Sequence, residues 1–130
     1  MIKKGQTKNL GPFSILIPDA KGYKNARGIW HVLESSGMTY NEAVENLRYN
    51  YPGWRIPNLN ECKYIYDLFQ LGLEGYGITG LEPSYYWTSE SINSKRLVFW
   101  PQKNRKEAKI FFPMLGGNKI KVIYLKDSEI

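Results

Sequence analysis

The sequence holds one cysteine, Cys62, and one histidine, His31. A single thiol excludes an internal disulfide framework and any multi-cysteine zinc site. A single imidazole makes every Ser–His or Cys–His scheme depend on His31, which stands between Trp30 and Val32, where an edge or semi-buried role is expected. No apolar run approaches the ~18 residues that cross a bilayer; the longest short run is Phe13 to Ile17. The basic opening Met1-Ile2-Lys3-Lys4-Gly5 is not followed by the apolar segment of ~7–15 residues that a secretion signal needs. As written, the chain is expected in the cytoplasm with no membrane partner, unless a secretion machine or phage particle carries it. Internal repeats and low-complexity stretches are missing. The glycines from Gly72 to Gly80 lack the Lys-Ser/Thr ending and preceding strand of a phosphate-binding loop.

What is present is 130 residues, 42% hydrophobic and 23% charged. This balance fits one globular domain spanning residues 1–130. Aromatic residues make up 15% of the chain, and the pI is 9.4. The net charge of +6 is distributed as a polarity. Up to residue 30, six cations face Asp19 alone, whereas residues 31–94 carry three cations and eight acids. From Lys95 onward nine cations oppose Glu107, Asp127 and Glu129. If the two ends meet in space they form one basic face, able to attract a polyanion.

Phe13 to Pro18 reads as a short strand, Lys21 to Gly28 as a polar loop, and Ile29 to Leu33 as a second strand. Thr39-Tyr40-Asn41-Glu42 fits a capping box, and Tyr40, Ala43, Val44, Leu47 and Tyr51 follow helical spacing until Pro52-Gly53. Asn58 is a good N-cap for a second helix, with Glu61 in its first turn and Leu59, Cys62, Ile65, Tyr66 and Phe69 on one face. Gly72 is its expected stop, and an irregular Gly-rich loop follows up to Pro83. Tyr85 to Ser89 and Leu97 to Trp100 read as strands. Ala108 to Phe112 is expected to pair with Lys119 to Leu125, the latter having one wetter face. The order implies an α+β domain, with two helices packed on a small antiparallel β-sheet.

Four pieces then resemble a known pattern. They are Met38 to Ala43 opening a helix, Gly53-Trp54-Arg55-Ile56-Pro57 with Glu61 opening the next, Tyr86-Trp87-Thr88-Ser89-Glu90, and the strand Leu97-Val98-Phe99. Over about residues 36–125 the chain resembles the Lcl C-terminal domain family, bacterial and phage domains with a C-type-lectin-like fold. The family's usual signature is Gly-Trp-Arg-Leu-Pro-Thr, a following Glu-Leu and a later Tyr-Trp-Ser-Ser-Thr-Glu. Here Asn58 replaces the Thr, Cys62 the Leu, the second motif is one residue shorter, and the closing Arg-rich strand is Lys121-Val122-Ile123-Tyr124. The resemblance implies a C-type-lectin-like recognition module that binds a protein or carbohydrate partner, on a phage particle or cell surface. It makes Trp54, Arg55, Pro57, Trp87 and Glu90 structural determinants, with Arg55 expected to pair a carboxylate such as Glu90.

Catalysis is not expected. The fold's formylglycine-generating enzymes need a reactive cysteine pair, and helical spacing places Cys62 in a core. No cofactor is implied. Glu82-Pro83-Ser84 resembles the Glu-Pro-Asn loop of calcium-dependent lectins, with Glu74, Glu90 and Asn93 nearby in sequence. The partner Trp-Asn-Asp element is missing, so no metal is expected. Recognition is expected through the Gly-rich loop and the strands that follow it, with Tyr76, Tyr85, Tyr86 and Trp100 as the exposed aromatic residues. An alternative function is nucleic-acid binding by Lys95, Arg96, Lys103, Arg105, Lys106 and Lys109, interleaved with Phe99, Trp100 and Phe111.

Overall fold

A computed structural model of the protein describes residues 5–19, 21–34, 37–70, 85–99, 111–114 and 117–128, with the backbone alone at 66–70 and 111–114. Among the described residues eight strands and two helices follow one another, and small antiparallel sheets accompany the helices in a mixed α+β fold. The first sheet orders β1 (Thr7–Asn9), β2 (Phe13–Leu16) and β8 (Tyr124–Asp127), so that Ile15 pairs with both Lys8 and Leu125. The second joins β3 (Gly22–Lys24) to β4 (Trp30–Val32). The third orders β5 (Tyr86–Ile92), β6 (Lys95–Phe99) and β7 (Phe111–Met114).

The helices form where local chemistry dictates. In α1 (Tyr40–Asn50) the Thr39 hydroxyl accepts from Glu42 N–H at 3.1 Å, and the Glu42 carboxylate accepts from Thr39 N–H at 2.9 Å. In α2 (Leu59–Gln70) Asn58 and Glu61 make the same reciprocal pair, at 2.9 and 2.8 Å. The β5–β6 turn is tight, with Asn93 and Ser94 at φ of 49° and 65°, as a two-residue hairpin loop requires.

The stretch from Ile120 to Leu125 runs between two halves of the core. Ile123 and Leu125 pack with Cys62 and Ile65 of α2 and with Phe13, Ile15, Tyr86 and Phe99. Val122 and Tyr124 face the other way, among Ala43 of α1, Leu16, Tyr23, Ile56, Trp87 and Val98. The expected wetter face is kept by exposed Lys119 and half-buried Lys121 but is lost at Ile123, from where both sides of the segment are covered. Its partner differs as well. Residues 111–114 pair with β6, whereas the last strand pairs with β2 and is bridged to Met38, Arg55 and Tyr86 at Ile120, Leu125 and Lys121. Residues 22–24, expected in a loop, form β3, because Tyr23 buries itself in the α1-side core. The proposed helix stop at Gly72 lies outside the described residues.

Candidate functional site

Arg55 sits between the helices with its backbone paired to β8, donating to Leu125 O at 2.8 Å and accepting from Leu125 N–H at 2.7 Å. Its guanidinium donates from Nη1 to Glu61 Oε1 at 2.6 Å, pairs through Nη2 with Glu61 Oε2, and reaches Asp127 Oδ1 at 2.6 Å. Those hydrogen bonds raise the guanidinium pKa further above its ordinary value and hold Asp127 below its own. The expected Arg55 partner, Glu90, is thus corrected to Glu61 and Asp127. Glu61, in the first turn of α2, turns back toward Arg55 while capping its own helix. Glu90 instead accepts the Leu59 N–H at 2.6 Å, as a second acid at the positive end of α2.

Among the other signature residues, Trp87 is fully buried and donates its indole N–H to Met38 O at 2.8 Å. Pro57 is also buried, while Trp54 is half-buried with Lys126 Nζ 6.0 Å from its ring centre. Tyr85 is 36% exposed, but Tyr86 is only 3% exposed and stacks on Phe99 at 5.3 Å. The expectation that Tyr86 forms an exposed contact is corrected: β5 is covered on both faces where it begins. Tyr76 and Trp100 lie outside the described residues.

Among the basic candidates Lys95 is exposed and Arg96 is half-buried, its guanidinium 3.7 Å from the centre of the Tyr40 ring. Lys103, Arg105, Lys106 and Lys109 lie outside the described residues, as do Glu74 and Glu82 to Ser84 of the calcium comparison. The two basic ends do meet in the first sheet. Lys8 shares a face with Ile15 and Leu125, however, so Lys126 lies on the opposite one. Among the described residues no three His, Cys, Asp or Glu side chains group closely enough to hold a metal ion. Cys62 is buried, which pushes its thiol pKa up and away from the reactive thiolate. His31 places Nε2 2.6 Å from Glu42 Oε2 and stacks on Tyr23 at 4.9 Å. Burial draws the Glu42 pKa upward, but the Thr39 N–H, the His31 ring and Lys119 outweigh it and leave the carboxyl below its ordinary value.

Among the described residues, a group of large apolar side chains left exposed by a regular element lies on the β3–β4 hairpin, away from the residues expected to bind. Tyr23 and His31 pair on its inner face, where Tyr23 stacks on Tyr49 of α1 at 5.8 Å. Lys24 with Trp30, and Gly22 with Val32, make the outer face. Trp30 and Val32 are 58% and 67% exposed, and Ile29 beside them is 58% exposed. The indole lies across the Gly22 backbone so closely that a Cβ there would come within 2.7 Å of the ring and 2.3 Å of His31 O. Glycine at position 22 thus gives the ring a floor and leaves its other side to solvent. Asn25 organises the turn by accepting the N–H groups of Arg27 and Ile29 at 2.9 and 3.0 Å. The available signal was the period-two pattern Trp30-His31-Val32, with two bulky residues on one face and cations before them.

Comparison of the chain with protein-family models, with curated proteins and with solved structures returns no match.

Proposed function

We propose that the chain is a non-catalytic recognition module that binds a protein or glycan partner through the outer face of the β3–β4 hairpin. The observation that carries this reading is the pair Trp30 and Val32, both more than half exposed on the outer face of an element packed against α1. An exposed apolar patch of this kind marks interaction surfaces, and tryptophan is enriched among residues that dominate binding energy. The absence of catalysis belongs to the same reading. It is supported by the burial of Cys62 and by the engagement of His31 with Glu42 and Tyr23.

The reading keeps the resemblance to the Lcl C-terminal domain family and its C-type-lectin-like fold, with a phage or mobile-element setting. Support comes from the contact between the two motif segments: Ser89 N–H donates to Pro57 O at 2.8 Å, and Glu90 takes the first amide of α2. The test is a parallel screen of the folded chain and its Trp30→Ala variant on a glycan array, on a displayed random-peptide library and on an oligonucleotide panel at several salt concentrations. Binding on the glycan or peptide arm that is lost in Trp30→Ala is the expected result. Binding only to oligonucleotides, with affinity falling steeply as salt rises, would replace this reading with the polyanion alternative.

A further inference from the structure

The β3–β4 sheet has two strands, and among the described residues nothing pairs with the far side of β4. Its ladder shows which backbone groups are left over. Leu33 N–H donates to Lys21 O at 2.9 Å, and Asn25 N–H donates to Ile29 O at 3.0 Å. Bonded pairs alternate along an antiparallel ladder, so Tyr23–His31 is a bonded pair while Gly22–Val32 and Lys24–Trp30 are not. The N–H and C=O groups of Trp30 and Val32 therefore point away from β3. On the opposite edge the outward Gly22 carbonyl is satisfied by the Asn50 side-chain amide at 2.8 Å, a provision that no described group makes for β4.

Charge adds a second feature. Between Lys21 and Val32 the chain carries Lys21, Lys24 and Arg27, all exposed, and no acid. Of the acids nearby, Glu34 is held by Lys119 at 2.6 Å, while Glu42, bonded to His31, and Glu45 lie near Tyr23 on the inner side of the hairpin.

Resting on the recognition reading above, we infer that the outer edge of β4 accepts an extended acidic peptide segment of a partner protein as an added strand. Backbone bonds to Trp30 and Val32 set its position, its apolar side chains lie over the Trp30 ring and Val32, and its carboxylates face Lys24 and Arg27. A lipid surface fits less well, because it would desolvate the outward N–H and C=O groups without pairing them. A nucleic acid would use the cations and the indole but neither Val32 nor the backbone edge.

The experiment enriches random displayed peptides on the folded chain, with a glycan array and an oligonucleotide panel as parallel arms. It then follows amide hydrogen exchange of the labelled chain with a synthetic copy of the enriched peptide. Acidic peptides with alternating apolar residues should emerge, and the Trp30 and Val32 amides should gain protection on binding. Trp30→Ala should weaken binding about tenfold or more. Val32→Pro, which deletes one outward donor at an edge position that tolerates proline, should weaken it about fivefold. Should Val32→Pro lower the melting temperature, Trp30→Ala and the exchange data carry the test. Ile92→Ser, on the β5–β6 hairpin, should bind as the parent does.

Peptides that bind with the Trp30 and Val32 amides exchanging unchanged would overturn the added strand while leaving protein recognition standing. Trp30-dependent binding to glycans or oligonucleotides alone would also overturn it. No binding on any arm would sink the recognition reading itself, and the strand with it.

Discussion

Arg55 shows how much one side chain can tie together. Its fork spans Glu61 on α2 and Asp127 at the end of β8, while its backbone pairs with Leu125. The guanidinium is 38% exposed and Glu61 only 14%, so the pair is partly screened, and its worth falls between a surface ion pair and a buried one. Removing the arginine strands a carboxylate in a poorly hydrated place. Arg55→Ala is expected to cost about 1–2 kcal/mol, lowering the melting temperature by roughly 3–8 °C. Arg55→Lys should recover less than half of that, because an ammonium cannot bridge both oxygens of Glu61 as the fork does. Thermal denaturation of the two variants decides; an unchanged midpoint in Arg55→Ala would refute the structural role.

At the scale of elements, both helices begin with a reciprocal cap, and the cap carboxylate of α1, Glu42, together with Asp127 at the end of β8, couples folding to acid. The hydrogen bond and charge of Arg55 hold Asp127 below its ordinary value of 3.8, and Glu42 lies below its ordinary 4.5. A carboxyl whose pKa is depressed by folding binds fewer protons in the folded chain than in the unfolded one as the pH falls. Its stabilisation is complete above about pH 5 and disappears as the pH drops through the folded value, below 3.8 for Asp127. Chemical denaturation followed from pH 6 to about pH 3 should therefore show a plateau above about pH 5 and a growing loss of stability below it, with a shallower acid limb in Asp127→Asn. An identical limb in that variant would remove Asp127 from the account.

Sequence reading found these helices because a cap and an amphipathic spacing are written within a few consecutive residues. Strand partners were harder to read. Nothing local reveals that Phe13 pairs with Asp127, so the last strand was matched to the nearer 108–112 segment. Tyr86 looks exposed in the sequence for a related reason, since only the packing of Phe99 against it shows which side is covered. The hairpin patch escaped because burial of Tyr23, which turns a polar stretch into β3, depends on α1 lying across it.

For the molecule as a whole, the segment from Ile120 to Leu125 makes the two helical halves one unit. Tyr124 donates its hydroxyl to Ala43 O at 2.6 Å and accepts from the buried Asn46 amide at 3.2 Å, so it belongs to α1. Burial pushes its phenol pKa up, so the hydroxyl stays a donor over the range in which the protein is folded. Leu125, its neighbour, is fully buried on the α2 side. Tyr124→Phe leaves the Asn46 amide short of an acceptor and should cost about 1–3 kcal/mol. Leu125→Ala opens a cavity and should cost about 2–5 kcal/mol. Because adjacent residues of one covered strand carry these losses to opposite halves, neither half can loosen alone. Both variants should keep a single transition, with helical circular dichroism and tryptophan fluorescence moving together to a lower midpoint. If Tyr124→Phe separated the two signals while Leu125→Ala did not, α1 with its hairpin would be an independent folding unit. The recognition face on β4 would then be free to order apart from the rest of the domain.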